Sequence, residues 1–449
     1  MSNKYPLIAA AVAVAVASGY ADAAVPTLAQ AAAPAVQLVI AGSSAAQSAV
    51  STAIAADLCG GSANMLTVKS SGGSGNFLAF SCFTATAVAG TPGIPANTLT
   101  TVYYRTEGGS VVGALPIASG KQILRLNLAD TTNCTQSGSA ITCTVSGTTS
   151  TSGTMDSWTG AVTRDTVQLG VTDVEPALLV GNDYPSAYST AAFGSATPTQ
   201  MAGLATSKLF QQVFGLVVNT SGQSFTTVNL TKESAANIEL GNYSDWAAVP
   251  DALTGNPVSA ASSRITLIDR EPGSGTRTST NVYLFGAHCG GTNSIPPARG
   301  GNFSTADELN SANATPGAVA YASIDQILNP ANQTKWTNLA LATINGVTPS
   351  ALAAATGQYD FWYEATLVPN PAVGANTTAG NLIAFLQADL PKLTTAPAVP
   401  DVNVIPGQGN PKNTATVPLK SNGKTGTAAI FVNPYTRGTS SCNVPAETN

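Results

Sequence analysis

Three times along this chain an apolar run stops at a turn of glycine and hydroxyl residues, and a helical pattern takes over. "VQLVIAGSS" (36–44) does so first, and Ala46, Val50, Ile54 and Leu58 then recur every fourth residue, one face of a helix that Ser43 or Ser44 can cap. "LTTVYYRTEGGSVVGA" (99–114) ends its strand in Gly108, Gly109 and Ser110, and "RITLIDREPGSGTRTST" (264–280) runs through a Gly-Ser-Gly-Thr loop into a helix reaching about residue 286. Between and after them, "DTVQLGVTDVEPALL" carries a strand to Thr172 and Asp173. "FQQVFGLVVNT", "ATPGAVAYAS" and "YDFWYEATLV" read as further strands, and "LTKESAANIELGNYSDW" as a helix from Thr231 to Gly241. Strand and helix in alternation predict an α/β fold with mostly parallel sheets. In such sheets ligands sit beyond the carboxyl ends of the strands, where these turns would converge.

Only 9% of the residues are charged, about a third of the usual share. With 23 acidic residues against 18 Lys and Arg, the lack of a basic block argues against nucleic acid or an anionic membrane surface as the partner. Any anion must be held locally. The start reads as an export signal over 1–23: Lys4, the apolar "PLIAAAVAVAVAS", and "ADA" as a small-residue cleavage site. That run is too short to span a bilayer, and the absence of a nearby cysteine argues against a lipid anchor. A periplasmic or secreted location without membrane insertion is expected, with 24–35 a flexible leader. Six cysteines in an exported chain imply disulfides. Spacing favours Cys59–Cys82, Cys134–Cys143 and Cys289–Cys442 among the fifteen possible pairings. With no CxxC and His288 as the only histidine, neither a metal site nor a cofactor is expected. The Gly/Ser/Thr-rich stretches 60–100 and 130–160 read as surface insertions closed by the first two bridges, and 396–425 as an irregular tail.

"REPGSGTRTST" (270–280) packs two glycines, two arginines and five hydroxyls together. A nucleotide P-loop needs Lys and Ser or Thr after its second glycine, whereas Gly275 is followed by Thr276 and Arg277. A serine hydrolase needs Gly-x-Ser-x-Gly, which is absent, and His288 belongs at the end of the next helix. A purely structural reading uses the glycines for a turn and the hydroxyls as caps. An oxyanion clamp uses everything: amides at a helix start, a bidentate arginine at position 270, and hydroxyl donors from Ser274 and Thr276.

These segments resemble, in order along most of the chain, the phosphate-binding proteins that serve phosphate ABC transporters, within the type II periplasmic solute-binding superfamily. "AGSS" and "YYRTEGGSV" resemble that family's first two loops, "LGVTDVEP" its Thr-Asp strand, and "REPGSGT" its Arg-x-x-x-Ser-Gly-Thr signature. "LTKESAANIELGNYSDW" and "PGAVAY" resemble two further family segments. The resemblance implies phosphate contacts from Ser44, the Ala45 amide, Ser110, Asp173, Arg270, Ser274, Gly275 and Thr276. It also implies a two-lobed fold with a hinge: 36–217 and 358–449 as lobe 1, 218–357 as lobe 2, plus β-rich, disulfide-closed insertions. The function implied is phosphate binding for uptake or scavenging by a monomer that is not an enzyme, with an ABC transporter membrane complex as a further partner. Asp173 then discriminates: hydrogen phosphate carries a proton to donate to a carboxylate and sulfate does not, and a desolvated acceptor left unpaired costs about 1–3 kcal/mol.

The chain departs from the family pattern in several places. Two glycines precede Ser110, Pro116 would interrupt the helix behind it, and Ala45 replaces an aromatic residue. The insertions, bridges and late cysteine are closer to secreted DING-type relatives, although the acidic start of that group is missing. Arg277 has no family role and is expected to pair with Glu271 at the surface. The alternatives are an extracellular structural or adhesive protein that keeps the fold, and a phosphoester hydrolase.

Overall fold

The computed structural model describes residues 24–72, 75–137, 140–147, 156–290, 295–297, 299, 301–328, 334–390, 404–405, 435–438 and 440–447. The export signal at 1–23 and nearly all of the tail at 396–425 lie outside them. The strands that build the site are β1 (Val36–Gly42), β2 (Leu66–Ser71), β3 (Phe77–Phe83), β4 (Leu99–Arg105), β5 (Ala140–Ser146), β6 (Leu169–Thr172), β7 (Ser207–Asn219), β8 (Thr266–Leu267), β9 (Ala318–Ser323) and β10 (Trp362–Pro369). They form one sheet in the order β8-β9-β7-β10-β6-β1-β4-β3-β2-β5.

The α/β expectation holds. Parallel pairing is found where β1 lies between β4 and β6, and again in β8–β9 and β2–β5. Antiparallel pairs join these units through β7, β10 and β3. β1, β6 and β9 are buried almost throughout, so their Val/Ile/Leu/Ala runs show no polar face. β7 changes partner along its length. Ser207 to Val213 face β10, and Phe214 to Val218 face β9. The chain therefore passes from one half of the sheet to the other between Val213 and Phe214, and returns at Phe361–Trp362, where Phe214 N donates to Phe361 O.

Helix α1 (Gln47–Ala53) follows β1 and widens into a π turn over Ile54–Leu58, which keeps the four-residue spacing of Val50, Ile54 and Leu58 on the buried side. Helix α2 (Ser110–Ser119) lies directly on the sheet. A Cβ added at Gly113 would stand 2.6 Å from Val171 O, so the helix approaches β6 through bare backbone. Pro116 stands inside α2 without ending it, contrary to expectation. Helices α3 (Gly275–Phe285) and α4 (Thr305–Ala314) belong to the other half.

Three expectations need revising. Residues 60–100 are no surface insertion, because β2 and β3 continue the main sheet and bury Leu66, Val68, Phe77, Leu78 and Phe80. Within the expected leader, Leu28–Ala31 forms a helical turn with a Thr27/Gln30 capping box, and Ala31 O accepts from Thr101 Oγ1. Within the tail, Val404–Ile405 pairs with Gln211–Gln212. All three favoured disulfides are formed. Cys134 and Cys143 face each other in the hairpin register of Cys134–Ser137 with β5. No helix among the described residues is long and apolar enough to cross a membrane.

Candidate functional site

The carboxyl end of β6 delivers Asp173 into a buried cluster of hydroxyls. Ser43 Oγ donates to Asp173 Oδ1, and Thr276 Oγ1 donates to Oδ2 at 3.1 Å. Ser110 Oγ accepts from the Asp173 amide at 2.9 Å. Burial drives the Asp173 carboxyl above its ordinary value, while the Ser43 hydroxyl, the Arg270 charge and the Thr276 and Ser110 hydroxyls pull it back down.

Arg270 anchors the other side. Its guanidinium is buried and donates to Thr305 Oγ1 at 3.0 Å, Phe303 O at 3.3 Å and Asn302 O at 3.1 Å. Glu308 Oε2 lies 3.8 Å from Nη1. Thr305 Oγ1 in turn lies 3.1 Å from Ser44 Oγ, which accepts from the Thr305 amide. Consecutive serines thus reach both sides: Ser43 to Asp173 and Ser44 to Arg270 through Thr305. Gly109 closes the circle. Its φ of 68° is left-handed, and a side chain there would meet Arg270 Nη2 at 3.1 Å and Ser274 Cα at 3.8 Å.

Loops from the two halves of the sheet also bond directly. Gly108 N donates to Phe303 O at 3.0 Å, and Val111 N donates to Gly273 O at 2.9 Å. Three helices, α2, α3 and α4, start here. Intrahelical geometry leaves the first amides of each without partners in its own ladder, and the positive end of each dipole is directed to this cluster. Some are already used: Ser274 Oγ caps Arg277 N at 3.3 Å and Ser304 Oγ caps Asp307 N at 3.2 Å.

Seven of the eight residues assigned from the sequence, all but Ala45, have contacts at this junction. Hydrogen bonds join Ser110 and Thr276 to Asp173 on one side and Ser44 to Arg270 through Thr305 on the other, and Gly275 lies packed against Ser110 and Asp173. Ser274 serves as the helix cap, and the Ala45 carbonyl accepts from Gln212 Nε2 at 2.7 Å. Sequence reasoning missed the reach of Ser43 to Asp173, and it missed Thr305 altogether. The Ser-Thr-Ala-Asp start of α4 carries a cap signal, which is what could have found the latter.

Arg277 departs from expectation. It is buried and pairs with Asp183 and Asp269 at 3.2 Å each, rather than with Glu271 at the surface. His288 also bonds Asp183, at 3.0 Å. The arrangement is a set of hydroxyls around the Asp173 carboxylate, with Glu308 beside Arg270 as a second buried carboxylate. No group of three or more His, Cys, Asp or Glu able to hold a metal is present among the described residues.

No protein-family model and no curated protein matches the chain. Among solved structures it is similar to a phosphate-bound protein from Clostridium perfringens, named for a phosphate ABC transporter substrate-binding protein, at 11% identity and TM-score 0.42, over 78% of this chain and 93% of that one. It is similar to the high-affinity periplasmic phosphate-binding protein PfluDING at 14% identity and TM-score 0.41, over 84% and 92%. A phosphate-binding protein from Stenotrophomonas maltophilia follows at 13% and 0.38, over 80% and 83%. Many of the solved structures to which this chain is similar are thus phosphate-binding proteins of ABC transporters and DING proteins.

Proposed function

We propose that the chain is an exported binding protein that holds inorganic phosphate between two lobes without making or breaking bonds. The observation that carries this reading is Asp173, one buried carboxylate among hydroxyl donors and helix starts with a buried Arg270 on the far side. An oxyanion there would meet donors from Ser44, Ala45, Ser110, Arg270, Ser274, Gly275 and Thr276, and one acceptor suited to a protonated oxygen. The lobes would be the two halves of the sheet, moving about the crossings of β7 and β10. A transporter complex in the membrane would recognise the closed form. The three disulfides fit an oxidising compartment.

The test is calorimetric titration of phosphate-stripped, folded protein with phosphate and then sulfate. Phosphate binding without sulfate binding is expected. Arg270→Lys, which keeps the charge and loses the fork, should weaken phosphate by at least about tenfold, ~1.4 kcal/mol. The mutual bonding of Ser43, Thr276 and Asp173 favours a second reading, a structural protein that keeps the fold. No heat with either anion would select it.

A further inference from the structure

A cavity of about 170 Å³ lies at the opposite end of α3 from the cluster just described. Helix α3 runs eleven residues from Gly275 to Phe285, about 16 Å, so the two places are separate. Lys232, Tyr283, Asp360, Tyr363, Arg437 and Asn443 line the cavity, and the Cys289–Cys442 bridge forms part of its wall.

The two cations here are unusual. Arg437 is buried, yet its hydrogen bonds go only to neutral carbonyls: Trp362 O at 3.0 Å, Asn443 O at 2.8 Å and Asp360 O at 2.6 Å. The rings of Trp362 and Tyr363 lie 5.1 and 4.5 Å from its guanidinium carbon. Lys232 Nζ lies 4.2 Å over the Tyr283 ring, and among the described residues it has no hydrogen-bond acceptor or ion pair. Lys232 is also the first residue of the helix Lys232–Glu239, where the macrodipole disfavours a cation. Against them stands one lining carboxylate, Asp360, which the Tyr283 hydroxyl already bonds. Nearby Glu175 is taken by the amide and hydroxyl of Ser441. Two cations against one carboxylate leave the lining at plus one, in a chain of net charge −5. Of the two, Arg437 is buried, and a buried cation is stabilised by a counter-charge that an anion in the cavity would supply.

We propose that this cavity binds a small organic monocarboxylate, its carboxylate between Lys232 and Arg437 and its body against Tyr283 and Tyr363. The size fits: a cavity of roughly 150 Å³ accepts benzene. One negative charge balances the lining.

The experiment uses the full chain saturated with phosphate, in chloride buffer, titrated calorimetrically with benzoate. Wild type binds benzoate. Lys232→Ala weakens it by at least about tenfold and Lys232→Glu abolishes the heat, while phosphate affinity, measured separately on stripped protein, stays the same in all three. Lys232 is partly exposed, and thermal melts of both variants check that they fold. No heat from benzoate in folded wild type overturns the proposal, as does equal affinity in the three proteins. Competition by excess inorganic phosphate also overturns it, assigning the cavity to an inorganic oxyanion instead.

Discussion

Gly275→Ala separates packing at the clamp from stability of the fold. Gly275 is the first residue of α3 and has ordinary helical geometry, so alanine there would favour the helix by up to about 1 kcal/mol. Its Cβ, however, would collide with Ser110 Oγ and stand 2.8 Å from Asp173 Cβ and 2.9 Å from Asp173 Oδ2. Real Cβ atoms essentially never come that close, so something must shift. Overpacking of this kind costs about 1–3 kcal/mol. Ser110 and Asp173 belong to one half of the sheet and Gly275 to the other, so under the proposed two-lobed reading the halves relieve the clash by separating. The cost then falls on the bonded arrangement: phosphate affinity drops about 5- to 150-fold, while the thermal midpoint of stripped protein moves little. Calorimetry with phosphate and a melt on the same sample read the two quantities. Affinity within twofold of wild type would refute the reasoning, because the anion could not then lie where these loops meet.

Two further outcomes are expected. Asp173→Asn replaces an acceptor-only side chain with one that can also donate, so the sulfate-to-phosphate affinity ratio should rise by about 5- to 150-fold, the equivalent of the 1–3 kcal/mol that an unpaired acceptor costs; competition titrations that show an unchanged ratio count against Asp173 as the discriminating group. Buried Glu239 is pushed up to about 8, chiefly by desolvation and next by Asp269. The folded state therefore keeps a proton that the unfolded chain gives up, and stability falls as pH rises from the ordinary carboxylate range to about 8, then levels off. Urea midpoints at pH 6 and pH 9 measure that slope, and Glu239→Gln should flatten it; an equal slope in the variant would assign the effect to other groups.

Much of this was legible because the signals are local. The Gly-Ser-Gly-Thr turn caps α3 through Ser274, Thr231 caps Lys232–Glu239, and the three bridges are the pairing that cysteine spacing favours among fifteen. What escaped depends on distant partners. Thr305 meets Ser44 across 261 positions, and no apolar strand runs straight into its helix start to mark it as a loop of the cluster. Arg277 looks like a solvated helix residue until the fold supplies Asp183 and Asp269. The strand Leu66–Ser71 does alternate buried and exposed residues, but six residues among glycines and serines give too short a period to outweigh the composition of a loop.

The bridge between Cys289 and Cys442 closes a covalent ring of the chain between them, at a sequence separation of 153. Peptide-bond cleavage anywhere inside that ring opens a loop without releasing a piece. A protease nick between these cysteines would leave a molecule of unchanged mass on a non-reducing gel, with α3, β10 and their contacts still attached, and would show itself as two fragments only after a thiol is added. Wherever proteases are met, the bridge works as insurance on continuity: one cut does not disconnect the parts.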